Sequence, residues 1–337
     1  MTASKGSSPG ARAAAVCRWL FLPAVLPVAA GTALRAIPAD WPVLGVQLVA
    51  FTPWLAVPGA AALALAFAGR RRWQQAVAAV LLGVQVLWLV PLDIREPAVE
   101  AAAPVTLVAM TINAELGGAD ASSIVGMVRD RRVDLLAVEE YTPALARRLT
   151  AAGLDQLLPH RVAHAREGAG GAAIYSTYKL KESGVLPGTQ FTMPVASLEL
   201  ANDSGTALRV VAVHTLAPVG EAVRQWRTDL SAVGRVDTGS GPLLLAGDFN
   251  ATCDHHEFRS LLAGTGRTQS LVDVAASLGT RLVPTWPMRD YRLPGITLDH
   301  LVTSPDIRAT NYSVQPVPGT DHAAVVATLH VGAPSLS

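Results

Sequence analysis

Residues able to bind a metal, carry a proton or contact phosphate recur at the ends of short apolar runs in this chain. Asn113 closes Val105 to Ile112, Glu139 and Glu140 close Asp134 to Val138, and His214 closes Val210 to Val213. Asp248 and Asn250 follow Leu243 to Ala246 within Gly247-Asp248-Phe249-Asn250. Asp299 and His300 begin a later run, and Asp321 and His322 precede Ala323 to Ala327. A carboxylate and an amide oxygen are hard donors suited to Mg²⁺, which keeps several waters and takes substrate phosphate at its remaining positions. Imidazoles beside carboxylates can activate water and stabilise charge on phosphate oxygens. If the runs are strands whose ends share one side of a sheet, these residues meet in one cleft. The chemistry they suit is phosphoester hydrolysis.

Each residue also has a plainer reading. Asp248 and Asn250 can form an Asx turn after a buried strand, but Gly247 and Phe249 in register favour the chemical reading. His214 can be a satisfied buried histidine. His300 adjoins Asp299 on a strand and so points to the opposite face, which makes it structural; Glu139 faces away from Glu140 for the same reason and suits a supporting or surface role. Cys253-Asp254-His255-His256 lacks the separated spacing of a zinc site and reads as a helix cap with an exposed first turn. Tyr175, on a strand entered through Gly170-Gly171, reads as core or cleft wall. The Pro-, Trp- and Tyr-rich stretch from Thr285 to Gly295 is either a rigid loop or a cleft rim.

Positioning such a set requires strands interleaved with helices. Strands are expected at Val105–Ile112, Asp134–Val138, Ala172–Ser176, Ala196–Leu200, Leu208–Val213, Pro242–Ala246, Leu298–Thr303, Tyr312–Gln315 and Ala323–Leu329, with a hairpin turn at Asn202–Gly205. Helices are expected at Ala121–Arg132, Pro143–Ala152 and Glu221–Val233. Mixed order, without strict β-α-β alternation, predicts packed sheets with helices on their outer faces.

The ordered motifs Thr111-Ile112-Asn113, Asp134 to Glu140, Val211 to His214, Gly247 to Ala251, Leu298-Asp299-His300 and Thr320-Asp321-His322 resemble the endonuclease/exonuclease/phosphatase superfamily. That group includes deoxyribonuclease I, apurinic endonucleases, sphingomyelinases and inositol-polyphosphate phosphatases. The resemblance spans Val105 to Leu329, and Gly-Asp-Phe-Asn is its most specific stretch. It implies a four-layer α/β/β/α sandwich. It implies Glu140 as principal ligand of Mg²⁺, with Mn²⁺ the alternative, assisted by Asn113 and Asp321. His322, oriented by Asp299, is then the general base or a phosphate-contacting imidazolium. His214 contacts phosphate or protonates the leaving group, and Asp248 with Asn250 positions water and the scissile phosphate. The chain departs from the family pattern at Glu139, where glutamine is usual, at Thr297, where arginine is common, and at Ala323-Ala324, where Arg-Pro is usual. Each departure removes a fixed phosphate contact or adds negative charge.

Composition adds a second feature. With 50% hydrophobic and 16% charged residues, the chain is too apolar for an average soluble protein. The excess lies in Ala15–Leu34, Trp41–Gly69 and Trp73–Leu92, which predict three transmembrane helices. Lys5, Arg12 and Arg18 precede or open the first, and Arg70, Arg71 and Arg72 separate the second from the third. By the positive-inside rule the N-terminus is cytoplasmic and everything after Leu92 is extracytoplasmic. The expected plan is a cytoplasmic tail (1–14), a three-helix membrane region (15–92), a linker (93–104), the catalytic domain (105–332) and a tail (333–337) in a bacterial plasma membrane. The part after Pro104 carries 19 basic and 22 acidic residues, a poor footprint for tight nucleic-acid binding. The two cysteines, Cys17 and Cys253, make no disulfide framework.

The expectation is a membrane-anchored, Mg²⁺-dependent phosphoesterase, a phosphodiesterase first, acting on a lipid-linked or small phosphoester. Nucleic acid is the alternative substrate. The lipid bilayer is the expected partner of the N-terminal helices, and no protein partner is inferable. A noncatalytic binding module would not need so many polar strand ends, and a transport role would call for ionisable residues within the spans.

Overall fold

The computed structural model describes residues 9–37, 43–90, 105–200, 207–236, 241–264 and 270–332. The expected linker, the Asn202–Gly205 turn, the C-terminal tail and the first part of the N-terminal tail lie outside these residues. The chain divides into two compact units, residues 1–92 and 93–337.

The first unit is helical: α1 (Pro9–Ala36), α2 (Val43–Val49), a 3₁₀ turn at Thr52–Leu55, α3 (Ala56–Gly69) and α4 (Arg72–Leu89). Phe21, Val25, Ala62, Ala66 and Ala78 form its small core. Trp19, Leu26, Val57 and Phe67 face outward, an inverted surface for a water-soluble bundle. The polar contacts are internal, with Gln85 donating to Thr32 at 2.8 Å and Arg18 to the Gly69 carbonyl at 2.7 Å. Among the described residues two helical stretches, Pro9–Ala36 and Thr52–Gly69, are long and apolar enough to cross a membrane. Three were expected, and two meet that criterion. α4 is an 18-residue helix, but Arg72, Gln74, Gln75 and Gln85 dilute its apolar character. Within the expected second span, α2 ends at Val49 and the helical path resumes at Thr52, where Pro53 enters the 3₁₀ turn that runs into α3.

The second unit contains twelve strands and six helices among the described residues. In order they are β1 (Val105–Asn113), α5 (Ala121–Arg131), β2 (Leu135–Glu139), α6 (Pro143–Ala151), α7 (Leu154–Leu157), β3 (His160–His164), β4 (Ala172–Ser176), β5 (Leu180–Val185), β6 (Pro194–Glu199) and β7 (Ala207–His214). There follow α8 (Val223–Val233), β8 (Leu243–Asp248), α9 (His256–Ala263), β9 (Val272–Asp273), α10 (Val274–Ser277), β10 (Asp299–Thr303), β11 (Ile307–Pro316) and β12 (Ala323–Val331). One six-stranded sheet runs β11-β12-β1-β2-β4-β3 and the other β5-β6-β7-β8-β10-β9.

Alternating side chains build the layers. Leu107, Ala109, Leu135, Ala137 and Ile174 of the first sheet meet Leu198, Val210, Ala212, Leu244 and Leu301 of the second in one core between the sheets. Met110, Ile112, Leu136 and Val138 point the other way, onto Ile124, Val128, Leu145 and Leu149 of the outer helices. On the far side, Trp226 and Phe258 of α8 and α9 reach the end of β8 at Phe249. The result is the expected four-layer α/β/β/α sandwich. Asp120 caps α5 through the Ser123 amide at 2.7 Å, and Thr142 followed by Pro143 starts α6. β3 and β5 escape the sequence pattern because they are edge strands, and β5 is exposed along nearly its whole length.

Strand direction explains where chemistry can occur. β1 and β2 are parallel, as are β7 and β8, so Asn113 lies opposite Glu139 and His214 opposite Asp248 at C-terminal strand ends. β10 and β12 run antiparallel to these pairs, so their first residues arrive at the same end: Asp299 lies opposite Asp248, and Val325 opposite Thr111.

Candidate active site

All eight residues singled out in the sequence gather at that end. Asn113 Nδ2 donates to Glu140 Oε1 at 3.3 Å and to Asp248 Oδ2 at 3.1 Å, joining one sheet to the other. His214 Nε2 lies 3.8 Å from Glu140 Oε1 and 4.0 Å from Asp248 Oδ2. His322 Nδ1 meets the Asp299 carboxylate at 2.9 and 3.1 Å, while its Nε2 lies 3.9 Å from Asp248 Oδ2 and 3.8 Å from Asp321 Oδ1. Asn250 donates its backbone N–H to Asp248 Oδ1 at 2.8 Å and its side-chain amide to the Thr215 carbonyl at 2.9 Å.

Local backbone geometry makes these contacts. Gly247 has φ +148°, and a Cβ there would come within 1.9 Å of the Val213 carbonyl oxygen, so only glycine lets β8 pass β7 this closely. Glu140, the first residue after β2, and Asn250, the second after β8, both sit at positive φ, 53° and 46°. A left-handed residue just past a strand end breaks the alternation and re-aims its own side chain into the cleft, a strained placement typical of functional sites. The loop after β1 also turns through positive φ at Glu115 and Leu116, which brings the Leu116 N–H onto Glu140 Oε2 at 2.5 Å.

Burial sets the protonation pattern. Burial lowers His214 to about 3, with the charge of His322 adding to the effect, so its ring is neutral. Phe191 stacks on that ring at 4.5 Å. For His322 burial also favours the neutral form, but Asp299 and then Asp248 outweigh it and hold the imidazolium up to about 10. Burial raises Asp248 and Glu140 above the usual carboxylate range. Glu139 is raised further, by burial first and then by Asp299 and Asp248.

This donor set fits a divalent cation. Glu140, Asp248, Asp299 and Asp321, with Glu139 behind them, set several acidic groups around the single imidazolium of His322, and Glu139, Glu140 and Asp248 are raised by burial first and by repulsion from neighbouring carboxylates second. A divalent ion among hard oxygens relieves it. Among the described residues the one cluster of three such ligand groups lying within 4.8 Å of one another is Asp248, Asp299 and His322. Glu140 and Asn113 face it across Asp248. Asn113 Oδ1 accepts from the Glu115 N–H at 3.0 Å, and it is the amide nitrogen that faces Glu140 and Asp248.

The other sequence expectations resolve as follows. His300 is structural: it contacts Asp273 at 3.3 Å and the Ala251 carbonyl at 2.9 Å and packs on Phe249 and Phe258. Glu139 is fully buried and accepts from Thr111 Oγ1 at 3.1 Å, which excludes the surface role and leaves the supporting one. His255 does precede α9, but Asp254 and His255 are buried, because the Thr252 N–H donates to His255 Nδ1 at 2.9 Å and folds the turn inward. Tyr175 is core, its hydroxyl 2.5 Å from that of Tyr141. The Thr285–Gly295 stretch is a rim: Trp286 Nε1 donates to Asp321 Oδ2 at 2.9 Å, and Tyr291 packs on the Trp286 ring.

Sequence reasoning gave no role to Thr111, quoted only within its motif, and passed over Phe191 and Glu115. Glu115 accepts the Asp321 N–H at 2.6 Å and pairs with Arg289 at 2.6 Å. No spacing marks these residues. Trp286 carried the faint signal of an aromatic just ahead of Asp299.

Residues 110–322 match the Endonuclease/Exonuclease/phosphatase family, and the chain belongs to that family. It is similar in fold to the endonuclease/exonuclease/phosphatase family protein of Bacteroides thetaiotaomicron, with 16% identity, TM-score 0.52, and coverage of 69% of this chain and 100% of that one. The corresponding protein of Beutenbergia cavernae DSM 12333 has 18% identity, TM-score 0.50, and coverage of 69% and 73%. D. rerio TDP2, solved with a single-strand DNA product, has 15% identity, TM-score 0.51, and coverage of 67% and 99%. No curated protein sequence matches the chain.

Proposed function

We propose that the protein is a membrane-anchored, extracytoplasmic, Mg²⁺-dependent phosphodiesterase. The observation that carries this reading is the meeting of eight expected side chains from both sheets in one carboxylate-rich cleft, a convergence that a binding module has no need to keep. Glu140, Asn113 and Asp321 would hold the ion, with the Asp248 and Asp299 carboxylates across the cleft. When bound, it supplies positive charge to the phosphate oxygens. His322, kept protonated by Asp299, offers Nε2–H to phosphate. Asp248, with its raised affinity for a proton, orients water and accepts its proton. This favours the imidazolium role of His322 over the base role. Neutral His214 and the Asn250 amide complete the donor set around the developing charge.

Two features favour a lipid-linked or small diester over nucleic acid. The domain is net acidic, 22 acidic residues against 19 basic. Its mouth also exposes Leu116 (62%), Val219, Tyr291 (55%) and Leu293 on the loops that hold Glu140, His214 and Asp321. Apolar side chains around a phosphate site suit a substrate with a hydrocarbon portion.

The test is turnover by the full-length protein in detergent, with Mg²⁺, Mn²⁺ or chelator, on bis-p-nitrophenyl phosphate, phospholipid and single-stranded DNA. Metal-dependent cleavage of the first two is expected, with His322→Ala and Asp248→Ala lowering turnover by about 10²–10⁴. Metal-independent turnover, or none on any substrate, defeats the proposal; cleavage of DNA alone replaces the substrate class. Protease accessibility on intact cells tests the orientation, and a protected domain would reverse it.

A further inference from the structure

α8 bears Trp226 and Asp229 one turn apart on one face. Trp226 Nε1 donates to the Phe249 carbonyl at 3.2 Å, between Asp248 and Asn250. Asp229 is wholly buried. Its Oδ2 accepts the Leu216 N–H at 2.9 Å, and its Oδ1 accepts the Gln190 N–H at 3.1 Å and Gln225 Nε2 at 2.8 Å. All three donors are neutral amides, so the carboxylate is buried without an ion pair among them. A charge in that setting is costly unless it satisfies groups that nothing else can reach.

The two backbone amides lie on separate segments that meet at His214. Leu216 is two residues beyond His214, and Gln190 immediately precedes Phe191, whose ring stacks on the imidazole. Gln225 adds a bond to the Gly188 carbonyl at 3.2 Å, fastening the same segment. His214 is thus gripped between a strand end and a loop that share one acceptor on α8. We infer that Asp229 is a positioning residue: it holds His214 and Phe191 in register with Asp248 and Glu140, and it acts on the reaction only through His214. The kinetic part of this inference rests on the phosphodiesterase reading above.

Asparagine keeps the shape of Asp229 but turns one acceptor into a donor, which then faces a backbone N–H. The test is a double-mutant cycle on the full-length protein with bis-p-nitrophenyl phosphate and Mg²⁺. Asp229→Asn should lower kcat about 10- to 100-fold with KM changed less than about threefold, the effect of one lost charged hydrogen bond. In a His214→Ala background the same substitution should cost less than about threefold, because the group it positions is gone. Multiplying effects, or a kcat within about twofold of the parent, would overturn the inference, since a merely structural residue acts whether or not His214 is present. Amide hydrogen exchange supplies a readout independent of turnover. Asp229→Asn should speed exchange at Gln190 and Leu216 while leaving the β1 and β8 amides protected. Unchanged exchange at both positions overturns the clamp. If the parent hydrolyses no diester but the exchange result holds, the enzymatic reading fails and the clamp stands.

Discussion

Replacing Asp299 by asparagine removes the charge on which His322 depends. Both side chains are almost fully buried, and the carboxylate contacts Nδ1 at 2.9 and 3.1 Å. Burial by itself would favour the neutral ring; Asp299, with Asp248 behind it, instead raises His322 from the ordinary 6.5 to about 10. At about 1.4 kcal/mol per pH unit, that is on the order of 5 kcal/mol of preference for imidazolium. With asparagine present, Asp248 at 3.9 Å and Asp321 at 3.8 Å, with Glu139 and Glu140, still favour the charge, but its largest contribution is gone, so His322 should titrate at least roughly two pH units lower. The assay is nitrogen-15 NMR of the imidazole ring in chelator-treated protein, paired with diester turnover in Mg²⁺, which should fall about 10²–10⁴. Stability gives a third readout. A histidine raised in the folded state stabilises fully below its unfolded value of about 6.5, and that contribution is lost as pH rises through about 10. The melting temperature of the metal-free parent should therefore fall across this window, and that of Asp299→Asn should fall less. A variant whose His322 still titrates within one pH unit of the parent, or that keeps a third of its turnover, refutes the account.

Glu139→Gln should stabilise the metal-free protein: the buried acid binds a proton that the unfolded chain releases above about pH 4.3, a cost present above that pH and absent below it. Melting temperature should rise by roughly 3 °C or more at pH 7.5 and be unchanged at pH 4, as removing the cost of protonating a buried acid implies. Glu140→Gln should remove most of the thermal shift that Mg²⁺ produces; in the parent, a metal concentration of about 100 times Kd adds about 2.7 kcal/mol. Tyr291→Ser combined with Leu293→Ser should lower the ratio of phospholipid to bis-p-nitrophenyl phosphate turnover about tenfold, measured on mixed micelles. Gly247→Ala should fail to fold or lose cooperative melting, since its Cβ would meet the Val213 carbonyl.

Most of the cleft was legible in the one-dimensional order of residues. A polar residue ending an apolar run is visible because strands of this length bury on both faces and tolerate polarity only at their ends. Asn113, Glu140, His214, Asp248, Asp299 and His322 all stand at such ends. The parallel and antiparallel senses of the strands then carry them to one edge. His300 and Glu139 were assigned away from the cleft by alternation alone; the structure agrees for His300, packed on Phe249 and Phe258, but brings Glu139 near enough to Asp299, Asp248 and His322 for their charges to act on it. It corrects the environment of Glu139, buried between the sheets where a surface position had remained open.

Local sequence could not show what depends on distant packing. The neutral state of His214 and the charged state of His322 have the same side chain and differ only in which carboxylates and rings the second sheet brings near. Phe191, Glu115, Trp286 and Asp229 act through contacts made across loops, where no periodicity records the partner. The three apolar segments likewise read as spans by composition. Folding showed one of them interrupted between Val49 and Thr52 and another diluted by Gln74 and Gln85, which turn inward. Residue order pointed to the family and to the residues that meet in the cleft, because strand pattern and side-chain chemistry are local. Tertiary structure alone decided protonation, orientation and the apolar mouth, because each is a sum over neighbours far apart in the chain.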